Sequence, residues 1–421
     1  MNHELSIGAD LTRTATVSRG IYESLILRGL ERMNRGYMEI ELPDGTRRTL
    51  GDPGESLHAA VRIVDPRVYK RCMLFGDVGF GESYVEGDWE TPDIERVIAW
   101  FLLNTDNSPA QPGSDARSAF INLLRGWNRL QHLVRPNSLR TSRRNISEHY
   151  DLGNDFYRLW LDPTMTYSSA LFTAPNQTLE QGQIAKYDAL CRELQLSSQD
   201  HVLEIGCGWG GFAEYAASYY GCRITGVTIS QAQYEFACER IRLAGLTDRV
   251  EIRLRDYRRI EGRFDKIVSI EMMEALGDRY IETFTAKLHS LLAPDGIAGL
   301  QYITVPDCRH EELKCGVDWI QRYIFPGSLL LSVGRVNQAL NRTGDLFLHA
   351  LSDMGPSYAR TLRLWREAFN LQIEKVRALG FDSRFIRKWN YYLSYCEAAF
   401  AMRNISVVQA IYTRPNNLRL G

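Results

Sequence analysis

The chain has 421 residues, 44% of them hydrophobic, with 50 basic and 51 acidic side chains. That length buries one large core or two modest ones, so a soluble globular protein of two domains is the default. No apolar run reaches the roughly 18 residues of a membrane span, and the opening MNHELSIGADLTRT has neither the basic start nor the apolar stretch of a secretory signal.

The eight cysteines, at 72, 191, 207, 222, 238, 308, 315 and 396, form no CxxC pair. Their scatter argues against a zinc site and a disulfide framework and suits a reducing cytoplasm, and no metal site is assigned. Over residues 1–105, YMEIEL and RRTL flank PDGT, where Asp-Gly favours a tight turn between two strands. This stretch reads as a small α+β domain that could associate with lipid.

The linker NTDNSPAQPGSD, 104–115, breaks periodicity and marks a boundary, with a linker and basic helix over 106–144. Phe120, Leu123, Leu124, Trp127, Leu130 and Val134 recur every three or four residues, and 115–144 carries seven arginines against one aspartate. A surface helix packed on its neighbour is the plain interpretation. The sharper one is an interfacial helix meeting anionic lipid.

Residues 145–421 read as the catalytic domain. From 200 onward HVLEIG, CRITGVTI, VEIRLR, FDKIVSI and IAGLQYITV alternate with helical segments. Alternation of this kind predicts an α/β fold with a parallel sheet covered on both faces, whose ligands bind beyond the carboxyl ends of the strands. Gly206, Gly208 and Gly210 directly follow the first of these strands and open a helix, which lets the backbone approach a ligand closely. The spacing alone is weak, because dinucleotide folds use glycines similarly. The full stretch EIGCGWG resembles motif I of the S-adenosylmethionine-dependent methyltransferases, a Rossmann-like fold. On that resemblance Asp256 and Tyr257, at the end of the third strand, are positioned to bind adenine.

One family carries the rest. NISEHYDLGNDFYRLWLDPTMTYSSALF (145–172), LEIGCGWGGFAEYAA (203–217), GVTISQAQYEFA (226–237), SIEMMEALGDRY (269–280) and YYLSYCEAAF (391–400) are similar to successive blocks of the cyclopropane-fatty-acyl-phospholipid synthase family, which includes the mycolic acid cyclopropane synthases. FGDVGFGESYVEGDW (75–89) is similar to the smaller domain of its long bacterial members. The resemblance implies transfer of a methylene from S-adenosylmethionine across the double bond of an unsaturated phospholipid acyl chain. A methyl- or methylene-branched chain is the alternative product. It also implies that Tyr167, Ser168, Gly206, Gly208, Thr228 and Gln233 contact the cofactor, that the enzyme is a cytoplasmic homodimer, and that it works at the inner face of the membrane.

An alkene is a poor nucleophile, so the site must also stabilise a cation, for which aromatic faces serve. Phe156, Tyr157, Trp160, Trp319, Tyr323, Phe325, Tyr391 and Tyr392 are the candidates, most of them ordinary core in any fold of this size. A proton must then leave. Family members use a bicarbonate ion for this, and the matching positions are Ser169, Glu274, Gln301, Tyr358 and Cys396. Ser169 and Gln301 depart from the family pattern. Gln301, a neutral amide, cannot neutralise the anion, so bicarbonate is expected to bind weakly or be bypassed. A catalytically dead lipid binder and a nucleic-acid methyltransferase are the other classes. An intact glycine loop speaks against the first, and the lack of an Asn-Pro-Pro-Tyr-like motif speaks against the second.

Overall fold

The computed structural model describes residues 20–107, 152–316 and 318–420, so the expected basic helix of 115–144 and most of the linker lie outside the described residues. After a first helix, Ile21–Leu30, the Asp44-Gly45 turn joins β1 (Tyr37–Glu41) to β2 (Arg47–Gly51) as an antiparallel pair. Strand β3 (His58–Ile63) runs parallel to β1, and β4 (Trp89–Glu90) closes the order β2-β1-β3-β4. Side chains along β3 alternate between buried and more exposed, the pattern of a sheet with one covered face. Helices Arg67–Glu86 and Ile94–Leu103 complete the unit, the second N-capped by Asp93 through the Arg96 N–H.

The second sheet has the order β10-β11-β9-β8-β5-β6-β7. Its parallel part is β5 (His201–Ile205), β6 (Arg223–Thr228), β7 (Val250–Leu254), β8 (Phe264–Ile270) and β9 (Leu292–Thr304), matching the five strand-like runs of the sequence. Successive residues of β5 point to opposite faces, so Val202 joins one buried cluster with helices Leu179–Glu193, Gly211–Tyr220 and Gln231–Leu243. Leu203 joins the other cluster, with helices Ile281–Leu291 and Val333–Thr343. Burial on both faces is why these strands are nearly all apolar.

The sequence pattern did not signal the far edge. There β11 (Ser406–Thr413) pairs antiparallel with β9, and β10 (Phe347–Asp353) pairs antiparallel with β11. Helices Gly355–Leu371 and Ser383–Ala401 pack on each other. The latter also lies against Ile94–Leu103 and Arg67–Glu86, where the Arg387 guanidinium donates to the Tyr84 carbonyl at 2.7 Å and stacks over its ring. One continuous core therefore runs from Trp89 and Trp100 through Trp389 to Trp160 and Trp365.

The sheet has its switch point at β5. From there the chain steps outward through β6 and β7, then returns to the other side of β5 as β8. A crevice opens at the carboxyl ends of these strands, and the functional residues collect there.

Candidate active site

The loop after β5 is held open by backbone conformation. Gly206 and Gly208 have φ of +85° and +52°, in the left-handed region that costs other residues energy. A Cβ on Gly206 would meet the Met272 side chain at 2.8 Å, while one on Gly208 would meet nothing within 4 Å. Gly208 therefore borders open space, which belongs to a cavity of about 350 Å³.

All eight residues assigned to the cofactor line this cavity: Tyr167, Ser168, Gly206, Gly208, Thr228, Gln233, Asp256 and Tyr257. The six with side chains are fixed by their neighbours. Ser168 Oγ accepts from Lys186 Nζ at 2.8 Å, and Tyr167 shares a hydrogen bond with the Tyr392 hydroxyl at 2.8 Å. Thr228 Oγ1 donates to Gln233 Oε1 at 2.9 Å, which sets the orientation of that amide. Asp256 takes both Nε and NH2 of Arg258, at 2.9 and 2.6 Å, and Tyr257 packs edge-on to Phe284.

Two buried ionisable groups behind this half escaped the sequence analysis. Lys186 is fully buried, and burial pulls its ammonium down to about 7, against the nearby carboxylates of Glu271, Asp162 and Glu204. Glu204 is pushed up to about 8 by burial, and its Oε2 has no hydrogen-bond partner among the described residues. Such an orphaned oxygen on the cavity wall suits a polar ligand. The signal for Lys186 was available: Gln183, Lys186, Tyr187 and Leu190 share one helical stripe that is otherwise core.

The proton-acceptor residues arrange themselves differently from the expectation. Ser169, Gln301 and Tyr358 do come together, but around Glu271 rather than Glu274. The Ser169 N–H and Gln301 Nε2 donate to Glu271 Oε1 at 2.9 and 2.8 Å, and the Tyr358 hydroxyl donates to Oε2 at 2.7 Å. Glu274 instead accepts from the Ile303 N–H at 2.6 Å, and burial beside Glu271 raises its carboxyl to about 8. Glu271, Glu274, Tyr358 and Cys396 all line the cavity, whereas Ser169 and Gln301 are fully buried behind it. Burial also pushes the Tyr358 hydroxyl and the Cys396 thiol well up, so both stay protonated.

Several segments fix this cluster. Ala170 N–H donates to Thr361 Oγ1 and Phe172 N–H to Ser357 Oγ, tying residues 167–172 to the helix that carries Tyr358. Gln409 on β11 donates to Gln301 Oε1 at 3.0 Å, which turns the Gln301 NH2 toward Glu271. Gln409 was not signalled by sequence, because its partner is 108 residues away.

Of the aromatic candidates, Phe325 and Tyr392 reach the cavity. Phe156, Tyr157, Trp160, Trp319 and Tyr391 are essentially fully buried in the core outside its lining, and Tyr323 bonds Glu82 instead. Tyr167, Tyr358, Tyr395 and Phe400 are among the other aromatic residues that line it.

Residues 137–410 match the family model of mycolic acid cyclopropane synthetase. Tuberculostearic acid methyltransferase UfaA1 of Mycobacterium tuberculosis is 38% identical over 81% of this chain and 79% of its own length. The cyclopropane-fatty-acyl-phospholipid synthase of Escherichia coli is 35% identical over 87% of this chain and 91% of its own. Among solved structures, the cyclopropane synthase MmaA2 from Mycobacterium tuberculosis superposes with a TM-score of 0.59 at 32% identity, covering 65% of this chain and 98% of that one. Mycolic acid cyclopropane synthase CmaA1, complexed with SAH and CTAB, gives 0.59 at 30% identity over 65% and 98%. The chain is an S-adenosylmethionine-dependent methyltransferase and belongs to the mycolic acid cyclopropane synthetase family.

Proposed function

We propose that the enzyme alkylates the double bond of an unsaturated phospholipid acyl chain and closes a cyclopropane on it. The observation that carries this is the joining, in one cavity, of the cofactor loop, aromatic walls from Tyr167, Phe325, Tyr358 and Tyr392, and a buried carboxylate, Glu271. S-adenosylmethionine supplies an electrophilic methyl group on a sulfonium. Gly206, Gly208, Thr228, Gln233, Asp256 and Tyr257 would hold it, and the apolar walls would exclude water from the electron-deficient acyl carbon. Aromatic faces lower the energy of that carbon by cation–π attraction.

A second product is favoured by the likeness to UfaA1, whose name records a methyltransferase for tuberculostearic acid. Both products start from the same cation. If a hydride shifts before the proton leaves, a branched methylene chain results in place of the ring. The arginine-rich segment 115–144 supports a substrate presented at an anionic membrane surface, with the enzyme peripheral to it. No helix among the described residues is long and apolar enough to cross a membrane.

Gas chromatography with mass spectrometry of acyl chains, after incubating the enzyme and cofactor with vesicles of unsaturated phosphatidylglycerol, tests the proposal. A ring-bearing chain is the expected product. A branched chain would select the second interpretation, and unmodified acyl chains beside active cofactor turnover on another acceptor would refute both.

A further inference from the structure

The family resemblance implies a bicarbonate ion held by donors that include the Ser169 backbone, Gln301 and Tyr358. In this chain those three donors already converge on a side-chain carboxylate, that of Glu271, at 2.7 to 2.9 Å. A second anion brought to the same donors would have to displace this carboxylate or meet its like charge. The residues present do not fit bicarbonate.

We propose that Glu271 is the catalytic base of this enzyme and replaces a bound anion. The inference rests on the acyl-alkylation chemistry argued above. Four observations bear on it. Glu271 lines the cavity shared with Gly206, Gly208, Phe325 and Tyr392, the space in which the acyl chain would react. Each of its three partners donates, and a carboxylate offers about four lone-pair sites, so one site on Oε2 is left for an incoming proton. Burial raises the Glu271 carboxyl above its ordinary value, a poise that suits a group accepting a proton, and these donors with the buried Lys186 nearby act against that rise. Last, the Glu271 backbone sits at φ +49°, and its N–H is pinned to the Gln301 carbonyl at 2.7 Å. A non-glycine residue in the left-handed region is strained, and strain persists where the surroundings fix a functional side chain. Glu274 is the weaker candidate: its Oε1 accepts from the Ile303 N–H alone and its Oε2 has no hydrogen-bond partner among the described residues, so it lacks the ring of donors that would hold an ionised carboxylate.

The step balances within the site. A C–H bond of the transferred carbon breaks, its electron pair forms the last ring bond and quenches the cation, and the proton passes to Glu271 Oε2. In the branched outcome the same proton leaves to the same oxygen, and the pair forms an exocyclic double bond. The glutamic acid returns its proton to solvent when product departs.

The test uses the intact enzyme, unsaturated phosphatidylglycerol vesicles and carbon-dioxide-free buffer, with and without added bicarbonate. Product formation by the native enzyme in this assay is scored first, because its absence overturns the alkylation reading itself. The native rate should then change less than about twofold on adding bicarbonate. Glu271→Gln, which keeps the volume, should lose about 100-fold or more in kcat, the size of a general-base contribution, while calorimetry shows cofactor affinity retained. Glu271→Gly relieves the backbone strain and empties the donor ring, so added bicarbonate should restore part of its rate. A native rate that depends on bicarbonate, or a Glu271→Gln enzyme with near-native kcat, would overturn the assignment of the base.

Discussion

The two halves of the crevice are built in different ways. On the β5 to β7 side, six of the eight residues assigned to the cofactor lie in short stretches, 206–208, 228–233 and 256–257, each at or just past the end of one strand. On the β8 to β9 side, one carboxylate is held by residues 169, 301 and 358, from three separate parts of the chain. A ligand bound by backbone leaves a local motif in the sequence. A proton acceptor built by tertiary contact does not, and that is where expectation and structure part.

This division sets the size of each predicted effect. Glu271→Gln should fall hardest, in kcat alone, by about 100-fold or more. Next is the loop. Gly208→Ala places a methyl group in open cavity at φ +52°, so the fold should lose only about 1 kcal/mol while cofactor Kd rises roughly tenfold or more by calorimetry. Gly206→Ala, whose methyl would strike Met272, should lose thermal stability as well. Equal Kd for Gly208→Ala and native protein would remove the loop from the cofactor site.

A smaller effect is expected from Tyr358→Phe. It removes one neutral donor from Glu271, worth about 1 kcal/mol, so kcat should drop several-fold to tenfold with cofactor affinity intact. A slower proton transfer gives hydride migration more time, so the branched fraction should rise in the mass spectrum. An unchanged kcat would mean that the phenol does not support the base.

The pH dependence of stability reports on the acids buried around the crevice. Glu274, raised to about 8 from 4.5, binds its proton more tightly in the folded state. Its contribution is complete below about pH 4.5 and is lost as pH rises through about 8. Glu204, also near 8, acts the same way. Lys186, lowered to about 7, adds stability only as pH rises from about 7 toward 10.5. The melting temperature of the cofactor-free protein should therefore fall from pH 5.5 to 7, and Glu274→Gln should flatten that slope. A slope that is flat in the native protein would contradict the burial of these acids. The smallest effect concerns the surface: charge reversal at Arg140, Arg143 and Arg144 should weaken vesicle binding, most at low salt, and leave cofactor affinity alone.

Much of this fold was legible because the parallel strands carry a continuous apolar signal between helices, as in VLEI and KIVSI. The strands β10 and β11 were not, since FLHALSD is largely exposed at an edge and SVVQAIYT follows a long helix, with no repeat to announce it. Within the site, Tyr358, Ser169, Gln301 and Glu274 were named through family resemblance, and the structure adds Glu271 as the carboxylate on which the first three converge. The segment SIEMMEALG holds both acids three residues apart, and sequence alone does not say which one the strained turn after β8 aims at the donors. Gln409 and Lys186 belong to the same gap, their roles set by partners that only the folded sheet brings near.

The central claim is that this enzyme makes a carbon–carbon bond to an acyl chain and then takes a proton from the carbon it has just transferred. It is tested most directly with S-adenosylmethionine carrying a fully deuterated methyl group and unsaturated phospholipid vesicles, reading the isotope content of the product acyl chain by mass spectrometry. The account predicts a product that has lost a single deuterium from the transferred carbon, whether ring or exocyclic methylene is formed. A product that keeps the whole deuterated methyl group would show that no proton leaves that carbon, and would contradict it.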